Sequence, residues 1–331
     1  MQTRQVGKTG LTTTPIGLGL AALGRPGYIN LGHADDLNEN YEVAEMAAHA
    51  HRVLDAAWAA GIRYFDAARS YGRAESFLAS WLTARNIQPD EVMVGSKWGY
   101  TYTADWQVEA EAHEVKEHSL PVLQRQTQES LALFGSHLDL YQIHSATLDS
   151  GVLDNEAVLA ELARLQAELG LHVGLSLSGD KQAETLYRAL ELADEGVVFA
   201  SVQATWNLLE QSVGPALQAA HEAGLAVIVK EVLANGRLTP RNDDPEFEPQ
   251  RRLLTETAVS KQTSIDALAM AAALNQPWAT IVLSGAATVA HIESNVAALT
   301  VAWDEETAVS LNSLIEEPTD YWHTRSQLAW N

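Results

Sequence analysis

Gly61-Ile62-Arg63-Tyr64-Phe65-Asp66-Ala67-Ala68-Arg69-Ser70-Tyr71-Gly72 opens on a glycine, passes through a short apolar run, and ends on an acid with a tyrosine close behind. A short apolar run bounded by a breaker and a polar residue reads as a strand buried on both faces, because such a strand shows no alternation, only its ends. Upstream, Val43 to Ala60 carries Val53, Leu54, Ala57 and Trp58 on one helical face before Gly61 stops it. The same unit then recurs down the chain. Strand Arg63 to Asp66 precedes helix Arg73 to Arg85, and strand Val92 to Lys97 precedes a long loop, Trp98 to Ser119, and helix Leu120 to Phe134. Leu138 to His144 precedes Asn155 to Leu169, His172 to Ser176 precedes Gln182 to Ala193, and Val197 to Gln203 precedes Gly214 to Ala223. Ala226 to Lys230 precedes the loop Val232 to Pro249 and two helices, Gln250 to Ser260 and Ile265 to Asn275; Thr280 to Ser284 precedes Ala290 to Val301.

With Ile16 to Gly19 as the first strand, eight strand-helix units follow one another. Strands joined by right-handed helical crossovers run parallel, and eight is the number that closes a barrel. A doubly wound open sheet is the competing arrangement, and against it no Gly-x-Gly-x-x-Gly follows any predicted strand. The expectation is a single α/β domain spanning residues 1–331, a (β/α)8 barrel with long loops over its open face. In such a barrel all strand ends of one sense open onto one face, so residues remote in sequence meet there. Asp66, Lys97 and His144 stand at the ends of three strands, with Tyr71 beside them. Singly, each has a plainer reading: a rim aromatic, a solvated strand end, a semi-buried histidine. Together an acid, a phenol, an ammonium and an imidazole make a proton-transfer device.

Composition narrows the field. Of 331 residues 47% are apolar, enough for a large core, and 21 Lys plus Arg against 43 Asp plus Glu leave a net charge of −22, which opposes nucleic acid and anionic membranes as partners. There is no cysteine, which excludes disulfides, iron–sulfur clusters and thiolate metal sites. The 11 histidines include no His-x-His at a strand end, so no metal is expected. Met1 to Lys8 lacks the apolar core of a secretory signal and no apolar run reaches membrane-spanning length, so the default expectation is a cytoplasmic protein. Oligomeric state is left open.

At several places the chain resembles the aldo-keto reductase family: Ile16-Gly17-Leu18-Gly19, Gly61 to Ala68 with Ser70-Tyr71-Gly72, Ser96-Lys97, and Leu138-Asp139-Leu140-Tyr141-Gln142-Ile143-His144. Gly174-Leu175-Ser176, Val202-Gln203 with Asn207-Leu208-Leu209, and Ser284-Gly285-Ala286 followed by Asn295 continue the likeness in order along almost the whole chain. The resemblance implies a TIM barrel whose bottom is closed by an N-terminal hairpin, here Gln2 to Thr14 turning at Lys8-Thr9-Gly10, with extra helices and loops at the opposite face. It also implies NAD(P)-dependent hydride transfer between a nicotinamide and a small carbonyl or alcohol substrate, an aldehyde, ketone or sugar. Reduction puts negative charge on the carbonyl oxygen, so a proton donor must stand beside it. Tyr71 is the candidate donor; Lys97 would lower its pKa, Asp66 would hold Lys97, and His144 would orient the substrate carbonyl.

By the same resemblance the cofactor's carboxamide lies against Ser176 and Gln203, its pyrophosphate against Val232-Leu233-Ala234-Asn235-Gly236, and its adenosine end against Ser284, Gly285, Ala286, Thr288, His291 and Asn295. Gly19, Leu20, Asp66, Lys230 and Glu231 complete that wall. Three departures stand out. Leu177 replaces the Asn common in relatives, Lys230-Glu231 replaces Tyr-Ser and so removes the aromatic that stacks on the nicotinamide, and Ala286 to His291 lacks the Lys or Arg that often meets a 2′-phosphate. NADP(H) is favoured, with NAD(H) as the alternative. Tyr28, Trp98, Tyr100 and Trp206 are expected to form the substrate pocket with the loop Arg25 to Asn30, whereas Trp106 reads better as core. The tail Tyr321 to Trp330 either folds over the barrel mouth or meets another subunit. Two other functions fit the same residues: a poorly catalytic NADP(H)-binding regulatory relative, and a Schiff-base aldolase using Lys97 or Lys230.

Overall fold

Eight parallel strands close on themselves in the computed structural model, which describes residues 1–193, 196–197 and 199–331. The chain opens with an antiparallel pair, β1 (Arg4–Gln5) and β2 (Thr12–Thr13), and enters the barrel at β3 (Ile16–Gly19), β4 (Tyr64–Asp66) and β5 (Met93–Trp98). Outside the barrel, β6 (Tyr100–Tyr102) and β7 (Glu114–Lys116) form a second antiparallel pair. The barrel then continues through β8 (Leu138–Ala146), β9 (His172–Leu177), β10 (Ser201–Thr205), β11 (Ala226–Lys230) and β12 (Ile281–Ser284). These strands lie side by side in chain order, and β12 pairs with β3 to close the ring.

Helices cover the outside. They are α1 (His33–Asp36), α2 (Val43–Ala59), α3 (Ala74–Ala84), α4 (Leu120–Phe134), α5 (Glu156–Leu169), α6 (Gln182–Glu191), α7 (Gly214–Ala223), α8 (Glu248–Ser260), α9 (Ile265–Leu274), α10 (Val289–Ala297), α11 (Glu305–Leu311) and α12 (Pro318–Ser326). Their starts are set by side chains that accept the first free backbone N–H groups: Ser119 for α4, Asn155 for α5, Ser264 for α9, Thr288 for α10 and Asp304 for α11. Helix α9 buries every residue except Asp266, as its otherwise apolar sequence requires.

The hairpin closes the bottom of the barrel as the resemblance implied. Val6 enters the barrel interior among Tyr64, Met93, Leu140, Ala226, Ile228, Ile281 and Leu283, and Lys8 N–H donates to Gly224 O at 3.0 Å, tying the turn to the end of α7. Several boundaries moved. The strand expected at Val197 to Gln203 is Ser201–Thr205; Val198 lies outside the described residues, and pairing starts where Ala200 N–H meets Val173 O at 2.7 Å, because the neighbouring strands fix the ladder and not the local apolar run. The loop Trp98 to Ser119 contains the β6/β7 pair, and the chain beyond α10 contains α11 and α12, neither of which was expected.

Candidate active site

Asp66 ends β4 with its carboxylate inside the barrel mouth, 2% exposed. It accepts hydrogen bonds from Lys97, from the Tyr64 hydroxyl at 3.0 Å, from Gln142 Nε2 at 3.3 Å and from Gln203 Nε2 at 3.1 Å. A buried carboxylate needs such partners, and four donors from four strands lock it in place. Gly95 on β5 makes room for them: a Cβ there would collide with the Tyr64 hydroxyl. Lys97 spends all three ammonium donors, on Asp66, on Ala67 O at 3.0 Å and on the Tyr71 hydroxyl at 3.4 Å.

Tyr71 sits on the turn after β4, and that turn is pinned from two sides. Ala67 and Arg69 N–H donate to Gly95 O and Lys97 O at 2.8 and 3.0 Å, and Arg73 N–H donates to Gly24 O at 2.7 Å. Gly24 packs so closely that a Cβ there would overlap the Tyr71 carbonyl oxygen. His144 is presented differently. The β8–β9 ladder shifts between Ile143 and Ala146, with Ser145 at φ +50°, and this bulge frees the imidazole to turn into the mouth, 5.4 Å and nearly perpendicular to the Tyr71 ring. Its Nδ1 lies 3.4 Å from Ser70 Oγ.

Electrostatics differ from the sequence expectation at one point. Burial, followed by the charge of Asp66, pushes the Tyr71 phenol well above its ordinary value, and Arg25, 5.3 Å from its ring centroid, only partly offsets this. Lys97 does not lower the phenol on balance because Asp66 neutralises it at shorter range. The phenol therefore holds its proton. Burial, then Lys97, Lys230 and Arg25, keep His144 well below its ordinary value, so the imidazole is neutral. The mouth thus offers a neutral phenol and a neutral imidazole, backed by an ammonium poised to compensate a phenolate as it forms.

These groups open into a cavity of about 530 Å³, within the range of small-molecule sites. Tyr28, Asp66, Tyr71 and His144 line one end, with Gly19, Ser176, Gln203, Lys230 and Glu231 beside them; Val232, Leu233, Asn235, Gly236, Ser284, Gly285, Ala286, His291 and Asn295 line the rest. Leu20, Ala234 and Thr288 are not on its wall: the first two are buried in the core, and the Thr288 hydroxyl caps α10. Three of the expected pocket aromatics are also displaced. Trp98 is fully buried, facing the helix layer against His118, because its neighbour Lys97 points inward and alternate residues of a strand point opposite ways. Trp206 packs on Trp278, and Tyr100 lies behind His144 at 4.8 Å between ring centroids, contacting the imidazole and not the cavity. Trp106 packs on Phe77 and donates to Tyr41 O at 2.6 Å.

The tail folds over the mouth. Arg325 on α12 binds Glu231 through both carboxylate oxygens, Trp330 stacks on His113 at 3.7 Å, and Tyr28 and Asn331 exchange backbone hydrogen bonds at 3.1 Å. Arg25 lies among Tyr28, Tyr71 and Trp330 and pairs with Glu114 at 3.0 Å. At the far end, Arg241 clasps Asp36 at 2.8 and 2.5 Å, joining α1 to the loop after β11, and Asp266 stands on the same wall. Sequence reasoning missed Asp36, Glu114, Ser145, Arg241, Asp266 and Arg325. Only the positive φ of Ser145 follows a local rule, and it becomes visible only once the bulge is known.

The barrel superposes on aldo-keto reductase AKR11C1 from Bacillus halodurans, solved in a holo form, with a TM-score of 0.71 at 20% identity, covering 96% of this chain and 97% of that one. In sequence, the chain is 25% identical over 343 residues to aldo-keto reductase str7 of Strobilurus tenacellus, covering 96% of this chain and 93% of that protein. It is 26% identical over 282 residues to pyridoxal 4-dehydrogenase of Microbacterium luteolum, covering 74% and 75%. The model of the aldo/keto reductase family matches residues 15–316, and with nearly the whole barrel spanned the chain belongs to that family of oxidoreductases.

Proposed function

We propose that this protein transfers hydride between a nicotinamide dinucleotide and a small carbonyl or alcohol substrate, with Tyr71 as the proton donor. The observation that carries this reading is the contact chain Asp66–Lys97–Tyr71 opening beside His144 into one cavity. When bound, the dinucleotide supplies the hydride. The rest falls to the protein. His144, neutral, holds the carbonyl oxygen by an N–H donor, and Tyr71 gives that oxygen its proton as charge develops. Lys97 compensates the phenolate left behind, and Asp66 keeps the ammonium in place.

The cavity's long arm fits a dinucleotide. Asn235 and Asn295 have their amide nitrogens engaged, at 3.3 Å on Asn30 and 2.8 Å on Ser284, while their carbonyl oxygens are buried without partners on the wall. Such oxygens suit the amino and hydroxyl donors of an adenosine. Gly285 has open space where a Cβ would stand, leaving backbone free to approach a phosphate. We favour NADP(H), with modest discrimination against NAD(H). A Schiff-base role for Lys97 has the geometry against it, since an ammonium with all three donors spent has no free lone pair to add to a carbonyl.

Replacing Tyr71 with Phe tests the reading. The hydroxyl's hydrogen bond among the described residues is the long 3.4 Å contact from Lys97, so stability should change by less than ~1 kcal/mol and dinucleotide affinity should hold, while kcat for carbonyl reduction falls ~10²-fold or more. Turnover near wild type would remove Tyr71 from the chemistry.

A further inference from the structure

At the end of β11, where the resemblance leads one to expect an aromatic ring, stands a lysine whose nearest carboxylate, Glu231, is shared with a second cation, Arg325. The other charges around the carbonyl end of the cavity pair off: Asp66 with Lys97, Glu114 with Arg25, and Glu231 with Arg325. His144 and Tyr71 are neutral. Lys230 remains. Its ammonium donates to Thr205 Oγ1 at 2.8 Å, a neutral hydroxyl that positions the charge without cancelling it. Glu231 forms an ion pair with it at 3.6 Å, but the same carboxylate binds Arg325 through both oxygens, so one anion is shared by two cations and a positive charge is left over. An ammonium has three donors, and the threonine takes one. In a chain of net charge −22, a local excess of positive charge inside a cavity is not background.

We propose that Lys230 recognises an anionic oxygen on the substrate, so that the favoured substrates are aldehydes or ketones carrying a carboxylate or a comparable anionic group. This rests on the carbonyl-reducing reading above. The same cavity is lined by Tyr28, Tyr71 and Trp330, whose rings suit a flat or aromatic substrate body. The groups acting on Lys230 are Glu231 beside it, Arg325 from α12, Lys97 from β5 and His144 from β8. Burial lowers the ammonium to about 8, with Glu231 opposing and Arg325 and Lys97 adding to the fall, so the charge is present at pH 7 and is lost above pH 8.

The test compares 4-carboxybenzaldehyde with its neutral isostere 4-formylbenzamide, using NADPH and the full chain. Wild type should favour the carboxylate by ~10-fold or more in kcat/KM at pH 7, chiefly through KM, and the advantage should shrink between pH 7 and 9. In Lys230→Met the ratio should collapse toward one, whatever happens to the absolute rate. A wild-type ratio near one, or a ratio that Lys230→Met does not move, overturns the proposal. So does a variant that weakens NADPH binding while leaving the ratio alone, since the lysine would then serve the dinucleotide. Borohydride trapping of either aldehyde on Lys230 would overturn it in favour of an amine nucleophile. If wild type reduces neither aldehyde, the reductase reading fails separately, and calorimetric titration of 4-(hydroxymethyl)benzoate against its amide decides anion recognition by itself: tighter carboxylate binding lost in Lys230→Met supports it, and equal binding refutes it.

Discussion

Lys97→Met separates what the buried ion pair does for stability from what it does for the reaction. The ammonium is 0% exposed and Asp66 2%, so the substitution leaves a carboxylate in the barrel mouth without its cation. Breaking a buried pair from one side costs about 3–5 kcal/mol. Asp66 keeps Tyr64, Gln142 and Gln203 as donors, which places the expected loss at the lower end, about 3 kcal/mol. For 331 residues, at an unfolding entropy of about 2.1 cal/mol/K per residue, that corresponds to a fall in Tm of about 4 °C by calorimetry. Adding Asp66→Asn removes the stranded charge, so the double variant should regain about 1–2 kcal/mol yet remain as slow as the single one, ~10²-fold or more below wild type in kcat at neutral pH. A double variant no more stable than Lys97→Met would refute the buried-charge account. A Lys97→Met enzyme with a normal pH–rate profile would reduce the lysine to a structural strand end.

Other consequences follow from the same geometry. Because His144 is held neutral well below the ordinary histidine range, the folded protein does not take up the proton that the unfolded chain binds below ~6.5; stability should fall as pH drops from 7.5 toward 5, and His144→Gln should flatten that slope in Tm measurements, whereas an unchanged slope would place the imidazole in contact with water. Gly24→Ala should displace the Tyr71 turn and lower kcat by ~10-fold or more with dinucleotide affinity retained; single-turnover rates equal to wild type would show that the turn is not pinned there. At the far end of the cavity Asp36 and Asp266 outnumber Arg241, so NADPH should bind tighter than NADH by less than ~10²-fold. Asp36→Asn, by freeing Arg241, should widen that preference in a salt-sensitive way, measured by tryptophan fluorescence quenching; a wild-type preference above ~10³-fold would mean that another cation reaches the 2′-phosphate.

Alternation of strand and helix was written in the sequence, because apolar periodicity and helix caps are local properties, and a count of eight such units suffices for a closed barrel once right-handed crossovers are the rule. The positions of Asp66, Lys97 and His144 at strand ends were equally legible, since parallel strands open on one face. Trp98 was misplaced in the substrate pocket, although the same strand geometry decides it: with Lys97 pointing inward, pleating sends its neighbour outward, against the helices. What only the tertiary structure decided is which side chains meet across long separations. Arg25 finds Glu114 across 89 residues and Arg325 finds Glu231 across 94, and no local pattern marks either pair. The bulge that turns His144 inward is a mismatch between two strands and belongs to neither alone. The protonation states depend on the same thing: the Tyr71 phenol is raised by burial and then by Asp66, and Lys230 is lowered by burial and then by Arg325 and Lys97, and burial is a property of the assembled barrel, absent from any segment by itself.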